Sequence, residues 1–148
     1  MEKVRSNCHH ILLIEDTFGD EMIFKDVLSR SVFNTSCDAV TNGEDALDYL
    51  HRKGNYSSAR RPDLVVMDLT LPRIDGIELL KMIKNDPELK TTPVVIFTGS
   101  ELPDDIKRAY LAGANGYMSK PTGLKQLEQK VKNLEEFWFE TALIPSQE

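Results

Sequence analysis

The chain reads Leu64-Val65-Val66-Met67-Asp68 near its centre, four apolar residues followed directly by an acid. A short continuous apolar run of this kind suits a strand that is buried on both faces of a parallel sheet. Runs of the same character predict two more strands, over His10–Ile14 and Pro93–Thr98. Stretches at Ser36–Val40 and Gly116–Met118 are interpreted as strands as well. The sequence therefore predicts five strands, of which the quoted stretch is the third.

The segments between these strands have the apolar spacing of helices. Asp75 is placed to cap the third helix and Thr122 to cap the fifth. Five strands and five helices in strict alternation indicate an α/β fold, a doubly wound and mostly parallel sheet with helices on both faces. The helices are expected at Gly19–Ser31, around Ala46–Leu50, between Asp75 and Pro87, at Pro103–Ala112, and from Thr122 to about Glu140.

Length and composition are those of an ordinary globular chain. The 148 residues are predicted to form one domain over 1–148, with a core at about 8–140 and a C-terminal tail at 141–148. No apolar stretch approaches the roughly 20 residues of a membrane-spanning helix, so no membrane association is expected. The net charge of −6 argues against a nucleic-acid partner, because such proteins carry basic surfaces. Two cysteines, Cys8 and Cys37, are too few for a disulfide framework, which favours a reducing cytoplasm.

Chemically active side chains follow four of the five strands. In a doubly wound sheet, ligands bind outside the carboxyl ends of the strands, so these side chains are expected to converge. Crowded carboxylates repel one another, and a hard divalent cation such as Mg²⁺ relieves that repulsion. A lysine ammonium and a threonine hydroxyl suit a phosphoryl group at the same place. The residues are Glu15 and Asp16 after the first strand, Asp68 after the third, Thr98 at the end of the fourth, and Lys120 after the fifth.

The order of these motifs resembles the receiver domain of two-component response regulators. The polar loop His51–Pro62 and the ending Phe137–Pro145 are also similar to the single-domain cyanobacterial phytochrome response regulators. The resemblance implies a flavodoxin-like sheet with strand order 2-1-3-4-5, and a signalling module rather than an enzyme. The matching motifs are Glu15-Asp16, the segment from Asp68 to Gly76, Thr98-Gly99 and Lys120-Pro121.

The resemblance implies that Asp68 is the phospho-acceptor. Its carboxylate would attack the phosphorus of a phosphohistidine on a sensor histidine kinase, with a phytochrome-type kinase as one candidate, and form an acyl phosphate. Mg²⁺ would be bound by Asp16, by Asp68 and by the backbone carbonyl of Thr70, with Glu15 acting mainly through water. The family often has two aspartates where this chain has Glu15-Asp16, and glutamate is a common variant there that is compatible with a metal site.

The resemblance also implies how the signal leaves the site. Thr98 and Lys120 would bind the phosphoryl oxygens, and the Thr98 hydroxyl would vacate space into which the Tyr117 ring can turn. That movement would bias the surface of the fourth helix, fifth strand and fifth helix between two states. Gly99 would leave the acceptor open to a donor, and the Lys120–Pro121 bond is expected to be cis.

Three other functions compete with this one. An aspartate-nucleophile phosphatase needs a second aspartate two residues after the nucleophile, where this chain has Thr70. Nucleotide binding is disfavoured, because no glycine-rich nucleotide-binding motif follows any predicted strand. A protein-interaction module that works on a receiver fold without phosphorylation stays open as the alternative.

The end of the fifth helix raises the question of a partner chain. Phe137, Trp138 and Phe139 step about 100° each around a helix, so they cannot all face one core. The resemblance favours a homodimer through the fourth helix, fifth strand and fifth helix, and the alternative is a tail at Thr141–Pro145 that covers these rings. The histidines are predicted to be solvated and to bind no metal: His9, His10 and His51.

Overall fold

The protein forms a five-stranded parallel sheet with strand order β2-β1-β3-β4-β5, in a computed structural model that describes residues 8–145. This order confirms the doubly wound fold expected from the sequence. Each strand begins and ends within one residue of its predicted bounds. The strands are β1 His9–Ile14, β2 Thr35–Val40, β3 Leu64–Met67, β4 Val94–Thr98 and β5 Gly116–Ser119.

Helices cover both faces of the sheet. None of the helices between residues 8 and 145 is long and apolar enough to cross a membrane. The predicted loop His51–Pro62 contains a short 3₁₀ turn at Gly54–Tyr56. The helices are α1 Phe18–Ser29, α2 Gly43–His51, α3 Gly76–Asn85, α4 Pro103–Leu111 and α5 Leu124–Glu136.

The core lies on both faces of the sheet, because successive strand residues point in opposite directions. Val65 and Met67 pack with residues of α2, α3 and α4, whereas Leu64 and Val66 pack with residues of α1 and α5. All four side chains are completely buried. The apolar run that predicted a strand buried on both faces is therefore confirmed.

Asp75 is the N-cap residue of α3, as predicted, whereas Thr122 does not cap α5. The Asp75 side chain makes no capping hydrogen bond, although its carbonyl accepts the Leu79 N–H at 2.9 Å. Packing against the preceding loop fixes the start of α3 instead, since a Cβ on Gly76 would lie 2.5 Å from the Leu69 carbonyl oxygen. The last helix begins at Leu124, and the residue before it is Gly123 rather than Thr122.

The three aromatic rings after α5 have three different environments, as their spacing predicted. A π-helical turn at Phe137–Thr141 follows the helix. Phe139 is buried and stacks on His9 with 4.3 Å between ring centroids. Trp138 is partly buried against the core, and Phe137 stays 50% exposed. Leu143 in the tail is 99% exposed and covers none of them, while tail residues 146–148 lie outside the described part of the chain.

His10 is not solvated, contrary to the prediction from its sequence context. It is buried at the end of the sheet opposite the candidate site, where Nδ1 accepts a hydrogen bond from the Ser36 hydroxyl at 2.7 Å. The Tyr49 hydroxyl donates to Asp38 Oδ2 at 2.7 Å, so His10 Nε2 donates to the Tyr49 oxygen at 2.6 Å. Burial lowers the pKa of His10 and outweighs the Asp38 carboxylate 3.6 Å away. His51 is also paired, with Asp86 Oδ2 2.9 Å from its Nε2.

Candidate functional site

Three carboxylates meet at the carboxyl ends of β1 and β3. The two strands pair in register up to Ile14 and Met67, which makes the next residues on each strand neighbours. Glu15, Asp16 and Asp68 each offer one oxygen, and these oxygens all lie within 4.8 Å of one another. Glu15 and Asp68 are buried, whereas Asp16 is exposed. The structure thus brings the predicted acidic residues together.

Lys120 pairs with two members of this acidic group. Its Nζ is 2.7 Å from Glu15 Oε1 and 2.8 Å from Asp68 Oδ2. Its backbone N–H donates to the Thr98 carbonyl at 2.7 Å, which holds the end of β5 beside the end of β4. The ammonium neutralises part of the negative charge of the carboxylates that lie close together at this edge of the sheet.

Asp20 is a further partner of this lysine that the sequence motifs did not reveal. Its Oδ2 lies 2.8 Å from Lys120 Nζ, although Asp20 belongs to α1 and not to a strand end. No local pattern indicates this contact, because Asp16 precedes α1 and does not share a helical turn with Asp20. Asp20 does not follow a strand directly, which is the position that indicated the other site residues.

The carboxylate of Asp68 is held at both oxygens. Oδ2 accepts from Lys120, and Oδ1 accepts the Thr70 backbone N–H at 3.1 Å. Thr98 is buried at the end of β4, the strand that pairs with β3. A Cβ placed on Gly99 would meet nothing within 4 Å, so this side of the site borders open space, as expected from a glycine there.

Burial and ion pairing shift the pKa values at the site in opposing ways. Burial raises the pKa of Glu15, against the opposing effect of the Lys120 ammonium. Burial alone would lower the pKa of Lys120, but its hydrogen bonds to Asp20, Asp68 and Glu15 outweigh this and raise the pKa. Glu15 Oε2 also accepts the Thr17 backbone N–H at 3.1 Å. The lysine therefore stays charged among its carboxylate partners.

Tyr117 connects β5 to the loop that follows β4. Its hydroxyl donates to the Ser100 carbonyl at 3.0 Å, and burial raises the pKa of this phenol. The ring packs against the core cluster formed with α2, α3 and α4. The Ser100 hydroxyl in turn donates to Asp105 Oδ2 at 2.6 Å. Ser100 lies two residues after Thr98, so the ring is bonded to the segment that follows β4.

The donor set fits a hard divalent cation. Carboxylate oxygens are the ligands that Mg²⁺ and similar ions take, usually one or two of them with several waters. Glu15, Asp16 and Asp68 offer three such oxygens at one edge of the sheet. Of the four predicted metal residues, Glu15, Asp16 and Asp68 therefore have the chemistry and the proximity that such an ion needs.

The expectation of a cis bond before Pro121 is wrong. The Lys120–Pro121 bond is trans, the form that most bonds before proline adopt in folded proteins. With this bond trans, Lys120 reaches all three of its carboxylate partners.

Comparison with known proteins agrees with the sheet order. The family model described as the response regulator receiver domain matches residues 11–132. The chain belongs to the response regulator receiver domain family. Response regulator Rcp1 of Synechocystis sp. is 38% identical to this receiver domain over 136 residues, which cover 92% of this chain and 92% of Rcp1.

Solved structures of relatives superpose on this receiver domain over almost its full length. One is the phosphorylated cyanobacterial phytochrome response regulator RcpA, with a TM-score of 0.89 and 41% identity over 95% of this chain and 100% of RcpA. Another is the Mn²⁺-bound form of Rcp1, with a TM-score of 0.85 and 37% identity over 93% of this chain and 99% of that one. This receiver domain is thus similar to cyanobacterial phytochrome response regulators, as its loop and its ending predicted.

Proposed function

We propose that this receiver domain is a single-domain response regulator that accepts a phosphoryl group on Asp68 from a sensor histidine kinase. The observation that carries the proposal is the Asp68 carboxylate, which is oriented by the Thr70 amide and the Lys120 ammonium beside an acidic group suited to a divalent cation. The phosphorylated form of the related RcpA supports the same chemistry in this chain.

The transfer exchanges one bond to phosphorus for another. An Asp68 carboxylate oxygen attacks the phosphorus of the donor phosphohistidine, and a new P–O bond gives an acyl phosphate. The P–N bond breaks, and its electron pair returns to the imidazole nitrogen of the donor. In this proposal Lys120 binds the phosphoryl oxygens as a point charge, and the Thr98 hydroxyl binds them as a hydrogen-bond donor.

Mg²⁺ is the proposed cofactor, held by Asp16, Asp68 and the Thr70 carbonyl, with Glu15 acting mainly through water. When bound, the ion supplies positive charge next to the transferring phosphoryl group. The Mn²⁺-bound form of the related Rcp1 supports a divalent ion as ligand of this chain. The protein contributes the buried carboxylates and keeps Lys120 among them.

Tyr117 is the proposed switch. Phosphorylation draws the Thr98 hydroxyl toward the phosphoryl group, which displaces the segment that leads to Ser100. Because the Tyr117 hydroxyl is bonded to the Ser100 carbonyl, the ring responds to that displacement. Couplings of this kind are typically about 1–3 kcal/mol, enough to bias the surface of α4, β5 and α5 between two states.

The proposed partners are a phytochrome-type histidine kinase in the cytoplasm and a second copy of this chain. The relative RcpA supports the kinase class, since RcpA is a phytochrome response regulator. Three exposed apolar side chains support a dimer through α4, β5 and α5: Tyr110 and Leu111 on α4 and Phe137 after α5.

The experiment is phosphorylation with acetyl phosphate, a small donor that replaces the kinase. Wild-type protein, Asp68→Asn and the control Asp63→Asn are incubated with the donor, with and without Mg²⁺. We expect phosphate incorporation in wild type and Asp63→Asn only when Mg²⁺ is present, and none in Asp68→Asn. Absence of incorporation in wild type would favour the phosphorylation-independent interaction module instead.

A further inference from the structure

Lys120 has three carboxylate partners, and they differ in what else they can bind. Glu15 and Asp68 belong to the acidic group suited to a divalent cation, whereas Asp20 does not. Asp20 reaches the ammonium from the first turn of α1, at 2.8 Å. One of the three hydrogen bonds of Lys120 is therefore independent of the metal ligands.

Phosphoryl transfer weakens the other two hydrogen bonds. The Asp68 oxygen that becomes part of an acyl phosphate no longer carries a full negative charge. Glu15 shares its charge with any cation bound at the acidic group. Lys120 must stay at the site during this exchange. Its ammonium exchanges one hydrogen-bond partner, the Asp68 oxygen, for another, a phosphoryl oxygen, and must remain oriented while it does so.

We propose that Asp20 is a positioning residue that anchors Lys120 throughout phosphoryl transfer. The proposal rests on the proposed function of Asp68 as phospho-acceptor. Asp20 acts through Lys120 and touches neither the metal group nor the phosphoryl group. Its hydrogen bond keeps the ammonium at the site when the bonds to Asp68 and Glu15 weaken.

The hydrogen bond, rather than the charge of Asp20, carries this effect. The Asp20 side chain is 46% exposed, so water screens its charge at the distance of the phosphoryl group. An accepting oxygen at the same place is sufficient to orient the ammonium. An asparagine offers such an oxygen through its amide carbonyl, and an alanine does not.

The test compares Asp20→Ala with Asp20→Asn in the acetyl phosphate reaction with Mg²⁺. We expect Asp20→Ala to lower the phosphorylation rate at saturating donor about fivefold, equivalent to about 1 kcal/mol, with little change in the donor concentration at half-maximal rate. We expect Asp20→Asn to stay within about twofold of wild type. The control is Asp26→Ala, which removes an exposed carboxylate of the same helix that pairs with Arg30.

Three results would overturn the proposal. An equal loss of phosphorylation rate in Asp20→Ala and Asp20→Asn would show that the charge of Asp20 carries the effect. Unchanged rates in both variants would show that Asp20 does not position Lys120. If Asp26→Ala lowered the phosphorylation rate as much as Asp20→Ala does, the effect would come from α1 as a whole and not from Asp20. Thermal melting of each variant distinguishes misfolding from a positioning effect. If wild type itself takes up no phosphate, the proposed function fails first, and the anchor with it.

Discussion

Lys120 Nζ lies 2.8 Å from Asp68 Oδ2, and this contact joins the end of β5 to the end of β3. The lysine arrives from a short edge strand and the aspartate from a completely buried one. Beside them lies Glu15, a buried carboxylate that is paired with the same ammonium. We therefore expect the contact to affect both the stability of the fold and the phosphorylation of Asp68.

The structural consequence is tested by Lys120→Met. Removing the ammonium leaves the buried Glu15 carboxylate without its cation and crowds it against Asp68, so we expect a loss of about 2–3 kcal/mol in the free energy of unfolding. Urea unfolding measures it. The control is Lys125→Met on the exposed face of α5, where we expect a change within about 0.5 kcal/mol. Equal stability of the two variants would show that Lys120 does not stabilise the acidic group.

Two glycines are expected to respond to alanine in opposite directions. A Cβ on Gly76 would meet the Leu69 carbonyl oxygen at 2.5 Å, so Gly76→Ala should destabilise the fold by about 2 kcal/mol or more. Gly19 is the second residue of α1, and a methyl group added there would meet nothing within 4 Å. Gly19→Ala should therefore stabilise the fold, by less than the roughly 1 kcal/mol expected in a helix interior. Thermal or urea unfolding of both variants checks the signs, and a stable Gly76→Ala would contradict the close packing of the β3–α3 loop.

The buried His10 predicts a pH dependence of stability. Because burial lowers its pKa below 6.5, the folded protein binds this proton less readily than the unfolded chain does. Its contribution to the free energy of unfolding is complete above about pH 6.5 and is lost as the pH falls from there through the lowered pKa. Each pKa unit of lowering corresponds to about 1.4 kcal/mol.

The measurement is urea unfolding of wild type and His10→Gln at pH 7.5 and at pH 5.5. We expect wild type to lose more stability between the two pH values than His10→Gln does, since glutamine takes up no proton. The matched control is His51→Gln, which removes a partly exposed histidine. An equal pH response in wild type and His10→Gln would contradict a neutral buried imidazole.

Self-association is predicted to depend on Phe137. Its ring is half-exposed and packs edge-on against Trp138, with 5.0 Å between the ring centroids. Because this packing already orients the ring, a partner chain can bury it at little conformational cost. We expect wild type to form dimers and Phe137→Ala to weaken them about tenfold or more, as measured by sedimentation equilibrium. Phe18→Ala, which removes an even more exposed ring from α1, should leave the dimer unchanged. Weakening by Phe18→Ala alone would move the interface to α1.

The sequence predicted those parts of the molecule that depend on local pattern. Apolar runs predicted three of the strands, and the alternation of elements predicted the other two. The residues at or after the strand ends predicted that Glu15, Asp16, Asp68, Thr98 and Lys120 lie at one edge. Asp20 and His10 depend on contacts between distant segments: Asp20 meets a lysine 100 residues away, and His10 meets Tyr49 across the β1–α2 packing. The position of Asp20 in a helix and that of His10 at the start of a strand do not by themselves indicate such distant partners.

The phosphoryl group is expected to reside on Asp68. The most direct measurement is reduction of the acetyl phosphate-treated protein with borohydride, which converts an aspartyl phosphate to homoserine, followed by peptide mass mapping. We predict homoserine at position 68, dependent on Mg²⁺, and none in Asp68→Asn. Homoserine at Asp16 or another carboxylate, or unreduced Asp68 in protein that has taken up phosphate, would contradict the assignment.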